Sequence, residues 1–143
     1  MGFLDKMKSM KNAVTGGGAK VFIICDNFSQ EEPFEITVRA EIKDANIKIS
    51  KVYLDVVGSE VISIRDSEGV YNSNSDTVST RFNIADAEVL NANEVYEWKA
   101  MIELPQDSPA IYYGNDCSHT YKAKAGLDAP GNDPDSGWIQ LHR

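Results

Sequence analysis

Residues 34–42 read "FEITVRAEI", with Phe34, Ile36, Val38, Ala40 and Ile42 apolar and Glu35, Thr37, Arg39 and Glu41 polar between them. In an extended chain successive side chains point to opposite faces, so this period of two gathers all five apolar groups on one face. A helix would scatter them around its circumference. The stretch reads as a half-buried strand, and the rest of the fold turns on whether the same period continues on either side of it.

It does, in both directions. Upstream, "AKVFIICD" (19–26) is a short apolar run with polar ends, a first strand. Downstream, after a turn at "KDAN" (43–46), Ile47 and Ile49 are odd-numbered while Val52, Leu54 and Val56 are even-numbered. The inward face changes phase near Ser50 and Lys51, which implies a bulge or a switch between sheets. The run continues through "EVISI" (60–64) into "RDSEGVYNSNSD" (65–76), rich in turn formers and expected to be a mobile loop.

"TVSTRFNI" (77–84) and "VYEWKAMIEL" (95–104) restore the alternation, joined by a polar connection, "ADAEVLNANE". "PQDSPAIYYGND" (105–116) carries two prolines and a glycine, which forbid a central strand. "SHTYKAKAGL" (118–127) directs Tyr121, Ala123, Ala125 and Leu127 inward, and "WIQLHR" (138–143) supplies a last short strand. Seven or more strands with no second helical pattern describe an all-β protein, a single two-sheet antiparallel β-sandwich of immunoglobulin-like kind over 19–143.

Ahead of it, "MGFLDKMKSMKNAV" places Phe3, Leu4, Met7 and Met10 on one helical stripe, with lysines mostly opposite. The glycines of "TGGG" (15–18) end this short amphipathic helix, so residues 1–18 are expected to be a helix and its tether. Its apolar face is suited to docking on the sandwich, on a neighbouring subunit or, weakly, on a membrane surface.

The chain has 143 residues, one domain's worth, with a net charge of -8. That balance argues against nucleic-acid binding, which rests on clustered Lys and Arg. Two cysteines, Cys25 and Cys117, are too few for a disulfide framework, and no signal-peptide pattern opens the sequence, so the expected setting is cytoplasmic with free thiols.

Chemistry-bearing groups are sparse. Cys117 and His119 stand two apart, the minimum for thiol catalysis, but no third group is in place to orient the histidine. His119 is in phase with Tyr121 and reads as a hydrogen-bonded, partly buried histidine. Cys25, Cys117, His119 and His142 lack the close spacing of a legible zinc site. "DAPGNDPDSG" (128–137) has the aspartates of a calcium loop, yet lacks a Glu at the twelfth position and any flanking helices. It reads as an acidic hairpin tip, with a weak calcium site on Asp128, Asp133 and Asp135 as the lesser alternative. No catalytic residue, metal or cofactor is assigned.

The order of these pieces resembles the N-terminal half of the arrestin fold, in particular its bacterial sporulation-control branch. Four stretches carry the likeness: the strands "FEITVRAEI" and "IKISKVYLDVVGSE", the long strand ending in proline "YEWKAMIELP", the crossing "DSPAIYYG", and "YKAKAGLDAPGNDPDSGW". The resemblance implies a non-enzymatic adaptor or scaffold that binds protein partners through loops or sheet edges. Arrestin relatives carry two sandwiches in tandem, and these 143 residues accommodate one; no phosphate-sensing charged cluster is matched, so phosphopeptide recognition is not implied. Tyr112 and Tyr113, aromatics in an irregular segment, are the expected contacts alongside Phe3, Leu4, Met7 and Met10. The alternative is a self-assembling structural protein, a homo-oligomer or filament in which the N-terminal segment is exchanged between copies.

Overall fold

The structure is a computed structural model and describes residues 18–142. The N-terminal stripe of Phe3, Leu4, Met7 and Met10 lies outside the described residues. Ten strands run in order: β1 (Ala19–Ile24), β2 (Phe34–Ile42), β3 (Ile47–Ile49), β4 (Lys51–Asp66), β5 (Gly69–Ala85), β6 (Glu88–Leu90), β7 (Val95–Ile102), β8 (Tyr112–Tyr113), β9 (Cys117–Asp128) and β10 (Ile139–Leu141).

All pairings are antiparallel. One sheet has the order β1-β2-β7; the other has β10-β9-β4-β5, with β8 also on β9. The expected pair of sheets is therefore present, but a third, two-stranded sheet of β3 and β6 accompanies it. The phase change at Ser50 is its cause: β3 leaves to pair with β6, and β4 begins one residue later in the larger sheet. The "ADAEVLNANE" connection supplies β6, so it is not merely a link.

The alternation in "FEITVRAEI" builds the core. Phe34, Ile36, Val38, Ala40 and Ile42 are all buried, and they meet Val52, Leu54 and Val56 of β4 and Tyr121, Ala123, Ala125 and Leu127 of β9 in one apolar cluster. Each large aliphatic side chain sealed there contributes roughly 1.5–3 kcal/mol relative to exposure. Alanines on β9 leave volume that the larger side chains of β2 and β4 occupy.

Two glycines make room for tyrosines. A methyl group on Gly126 would collide with the Tyr53 ring, and one on Gly58 would lie 2.7 Å from Cε1 of Tyr121. Tyr53 pairs across the ladder with Gly126, and Gly58 with Tyr121. A large ring thus lies over an absent side chain twice in the same pair of strands, once on each face of the sheet.

The largest departure from expectation concerns residues 65–76. They form no loop: Asp66 pairs with Gly69, leaving Ser67 and Glu68 as a two-residue turn, and β4 and β5 stay paired from tip to base. The Asp66 carboxylate accepts the Glu68 N–H at 2.8 Å, and Gly69 takes a φ of 140°, a region that side chains disfavour. Beyond Ile62, where the β9 pairing ends, only these two strands remain, as a ribbon extending past the sandwich.

Candidate partner-binding face

The crossing segment before β9 is held from beneath by two core side chains. Tyr121 donates its hydroxyl to the Pro109 carbonyl at 2.6 Å, and His119 Nδ1 lies 3.1 Å from the Ala110 carbonyl. A carbonyl only accepts, so Nδ1 carries the proton, and in the neutral ring Nε2 accepts the Thr77 hydroxyl at 2.6 Å. His119 is fully buried, packed edge-on against Tyr121 with ring centroids 4.9 Å apart. Burial raises the Tyr121 hydroxyl's pKa, with a smaller opposing effect from Ser108.

This arrangement removes His119 from thiol chemistry. Both ring nitrogens are engaged with Thr77 and Ala110, so neither is available to take a proton from Cys117. The Cys117 sulfur instead lies 3.1 Å from the Tyr112 hydroxyl, which donates to Glu60 Oε2 at 2.9 Å. These contacts raise the Tyr112 pKa, the Cys117 contact first and the Glu60 carboxylate second.

Tyr112 and Tyr113 are not in irregular chain, as the prolines suggested. They form β8, a two-residue strand opposite Ser118 and His119 at the edge of β9. Tyr112 stacks on His119 and remains 39% exposed; Tyr113 is 70% exposed, its hydroxyl accepting the Gln140 amide at 3.1 Å. The pair therefore forms a rim at one end of the sandwich.

The ribbon rises from the same end. Glu60, the Tyr112 partner, is on β4, and the Ser63 N–H donates to the Asp116 carbonyl at 2.7 Å, tying the crossing to the ribbon's base. Toward the tip, Val70 is 63% exposed and Tyr71 53%, with Ile62 exposed below them. Residues 65–76 and 108–114, remote in sequence, are brought to one end; Val70 and Tyr71 had no distinguishing signal because their neighbours are polar.

The aspartate stretch is tied to the sandwich by hydrogen bonds of its own carboxylates. Asp133 Oδ2 accepts the Tyr53 hydroxyl at 3.0 Å and Oδ1 the Ala129 N–H at 3.1 Å, while Asp135 Oδ1 accepts the Gly137 N–H at 2.8 Å. The returning limb runs back beside β9, with the Leu127 N–H on the Pro134 carbonyl and the Ser136 N–H on the Ala125 carbonyl, both at 2.9 Å. Among the described residues no group of three or more His, Cys, Asp or Glu is placed to hold a metal ion. The limb covers the sheet's outer face, where Arg81 lies 4.0 Å over the Tyr53 ring and binds both oxygens of Asp55. Lys122 and Lys124 flank Trp138 beyond it.

A surface cleft of about 640 Å³ is lined by Gln30, Glu31, Glu103, Gln106 and Asp107 among others. It contains carboxylates and the Ser108 hydroxyl, which donates to the Pro105 carbonyl at 2.6 Å, but no histidine. Among the described residues no helix is long and apolar enough to cross a membrane.

No family model matches the sequence, and no curated protein does. The fold does have solved counterparts. The crystal structure of Spo0M, a sporulation control protein from Bacillus subtilis, superposes with a TM-score of 0.65 at 19% identity. The fold is arrestin-like, as is that of this sporulation control protein. The match covers 87% of this chain and 49% of that one, so the chain spans about half the length of its structural counterpart. At that identity the likeness establishes the fold, as the order of the strand motifs implied.

Proposed function

We propose that the protein is a non-enzymatic adaptor that binds a protein partner through the tip of the β4–β5 ribbon and the Tyr112–Tyr113 rim at its base. The observation that carries this reading is the exposure of Val70 and Tyr71 on a backbone ladder that is paired to its end. Apolar and aromatic groups on a pre-ordered ribbon offer contact area with little ordering cost. The full burial of His119 supports the non-enzymatic part, and the arrestin-like fold is consistent with it.

The test is differential capture. Immobilised wild-type chain is compared with the pair Val70→Ser and Tyr71→Ser, with Tyr113→Ser, and with Met101→Ser on the far sheet. Partners retained by wild type and Met101→Ser but lost by the ribbon variant support the proposal; identical captured sets from all four chains overturn it. The alternative assembly through an exchanged N-terminal segment concerns residues outside those described, and no feature of residues 18–142 favours it.

A further inference from the structure

The two faces of the ribbon are not alike. Successive residues of a strand alternate between faces, and directly opposed residues of an antiparallel ladder share one. Val52, Leu54 and Val56 point into the core and Gly58 faces the Tyr121 ring, so Glu60, Ile62 and Ile64 continue that same side of β4 past the sandwich. Ile62 opposes Cys117 on β9, and Ile64 opposes Tyr71 on β5. The inner face of the larger sheet therefore runs out of the core into Ile62, Ile64 and Tyr71. Val70 opposes Arg65 and lies on the other side, with Val61 and Ser63.

On that outer side the polar groups satisfy one another. The Ser63 hydroxyl lies 2.9 Å from Asn72 Oδ1, and the Ser59 hydroxyl lies 3.1 Å from Asp76 Oδ1. The inner side is less complete. Tyr112, stacked on His119, is the last cover over it, and beyond Tyr112 both Ile62 and Tyr71 are exposed. The Tyr112 hydroxyl is also the one donor to the Glu60 carboxylate among the described residues, and it engages Oε2. A carboxylate has about four acceptor sites, so Glu60 retains capacity for a further donor. The surrounding charge has one sign: residues 60–76 carry Glu60, Asp66, Glu68 and Asp76, and their single cation, Arg65, is on the outer side.

We infer that the partner segment taken by the ribbon lies on its inner face and is an extended basic and apolar stretch, presenting a Lys or Arg to Glu60 and large apolar side chains to Ile62, Ile64 and Tyr71. The inference rests on the proposal that the ribbon binds a protein partner, and adds which face is used and what chemistry fits it. Glu60, Ile62 and Ile64 recur at every second residue, about 6.6 Å apart, which is also the spacing of same-face side chains in an extended partner. A cation over Glu60 gains a charge-assisted hydrogen bond, whereas an acidic segment is repelled by Asp66 and Glu68.

The probe is a fluorescently labelled synthetic peptide, Lys-Ser-Leu-Ser-Leu, titrated with the full-length chain at about 0.15 M ionic strength and followed by anisotropy. Two control peptides replace its lysine by glutamate or both leucines by serine. The proteins are wild type, Ile62→Ser with Tyr71→Ser, Glu60→Gln and Val70→Ser; all four positions are at least partly exposed, and the urea midpoint of each chain checks its fold. Wild type should bind the probe with a dissociation constant of about 1 mM or below. The Ile62 and Tyr71 pair, and the leucine-free peptide, should each weaken binding at least about tenfold, Glu60→Gln about threefold or more, and Val70→Ser not at all. No binding by wild type overturns the inference, as does a loss with Val70→Ser equal to that with the inner-face pair. The captured sets judge the underlying proposal separately. Partners kept by the Ile62 and Tyr71 pair but lost by Val70→Ser would leave the ribbon as the binding element and place its contact on the outer face.

Discussion

The two halves of β4 are one continuous strand in two environments. From Val52 to Gly58 it lies between β9 and β5 with a second sheet across its inner face, and Val52, Leu54 and Val56 are fully buried. From Ser63 to Asp66 its only strand partner is β5, and its last two residues, Arg65 and Asp66, are exposed. The first half is fixed by side chains, since its register is the only one that seats apolar groups inward and rings over glycines. The second is fixed by its backbone ladder and turn, which leaves its side chains available for other uses. Stability is thereby assigned to the first half, and the proposed recognition surface to the ribbon that the second half forms with β5.

That division can be broken most directly at the junction of the core and the crossing. His119→Ala removes a fully buried ring and leaves Thr77 and the Ala110 carbonyl without their partner. A loss of about 3 kcal/mol is expected in urea unfolding. A loss below about 1 kcal/mol would mean the crossing is held by other contacts.

Gly126→Ala is next, because its methyl group has no space beside the Tyr53 ring. Overpacking of this kind costs about 1–3 kcal/mol. An unchanged midpoint would show that the ring is not seated there in solution.

Tyr53→Phe sharpens the comparison from the sheet's outer face. It deletes the bond to Asp133, for an expected loss of about 1 kcal/mol at neutral pH. It also changes the alkaline limb. Burial, and after it the Asp133 carboxylate, raises the Tyr53 pKa, so the folded state holds the phenolic proton more tightly than the unfolded chain. Its contribution is complete below the unfolded phenol's value of about 10 and is lost as pH rises beyond it. Wild-type stability should therefore decline more steeply above about pH 10 than that of Tyr53→Phe, measured by urea titrations at a series of pH values.

The smallest effect belongs to the ribbon. Val70→Ser with Tyr71→Ser should change stability by less than about 0.5 kcal/mol, as both groups are largely exposed. A change above about 1.5 kcal/mol would make the ribbon part of the fold's support and remove the contrast between the halves.

The contrast also explains what could be read in the sequence. "FEITVRAEI" and "SHTYKAKAGL" were legible because one-sided burial imposes a period of two on side chains. The ribbon was not, since a largely exposed strand has no such period and "NSNSD" is composed of turn-forming residues. Its available signal was the "DSEG" turn between Ile64 and Val70. The phase change at Ser50 correctly implied a switch, but the strand receiving β3 was concealed in a polar connection. Tyr112 was identifiable as an aromatic beside a turn, whereas its partner Glu60 lies 52 positions away. Likewise Asp133 suggested a metal until Tyr53, 80 positions distant, accounted for its carboxylate.

The position of β9 has a consequence for how the chain is made. It is the strand that binds β4, yet Lys51 must wait for Asp128 to complete the register between them. A chain emerging from the ribosome can close β1 on β2, β2 on β7 and the β4–β5 hairpin, but holds the free edge of Val52, Leu54 and Val56 open until β9 appears. Such distant pairing slows folding toward the millisecond-to-second range, and the open edge is vulnerable to aggregation throughout. Holding that edge apart from other nascent copies is therefore a requirement of synthesis, set by the order in which the strands are translated.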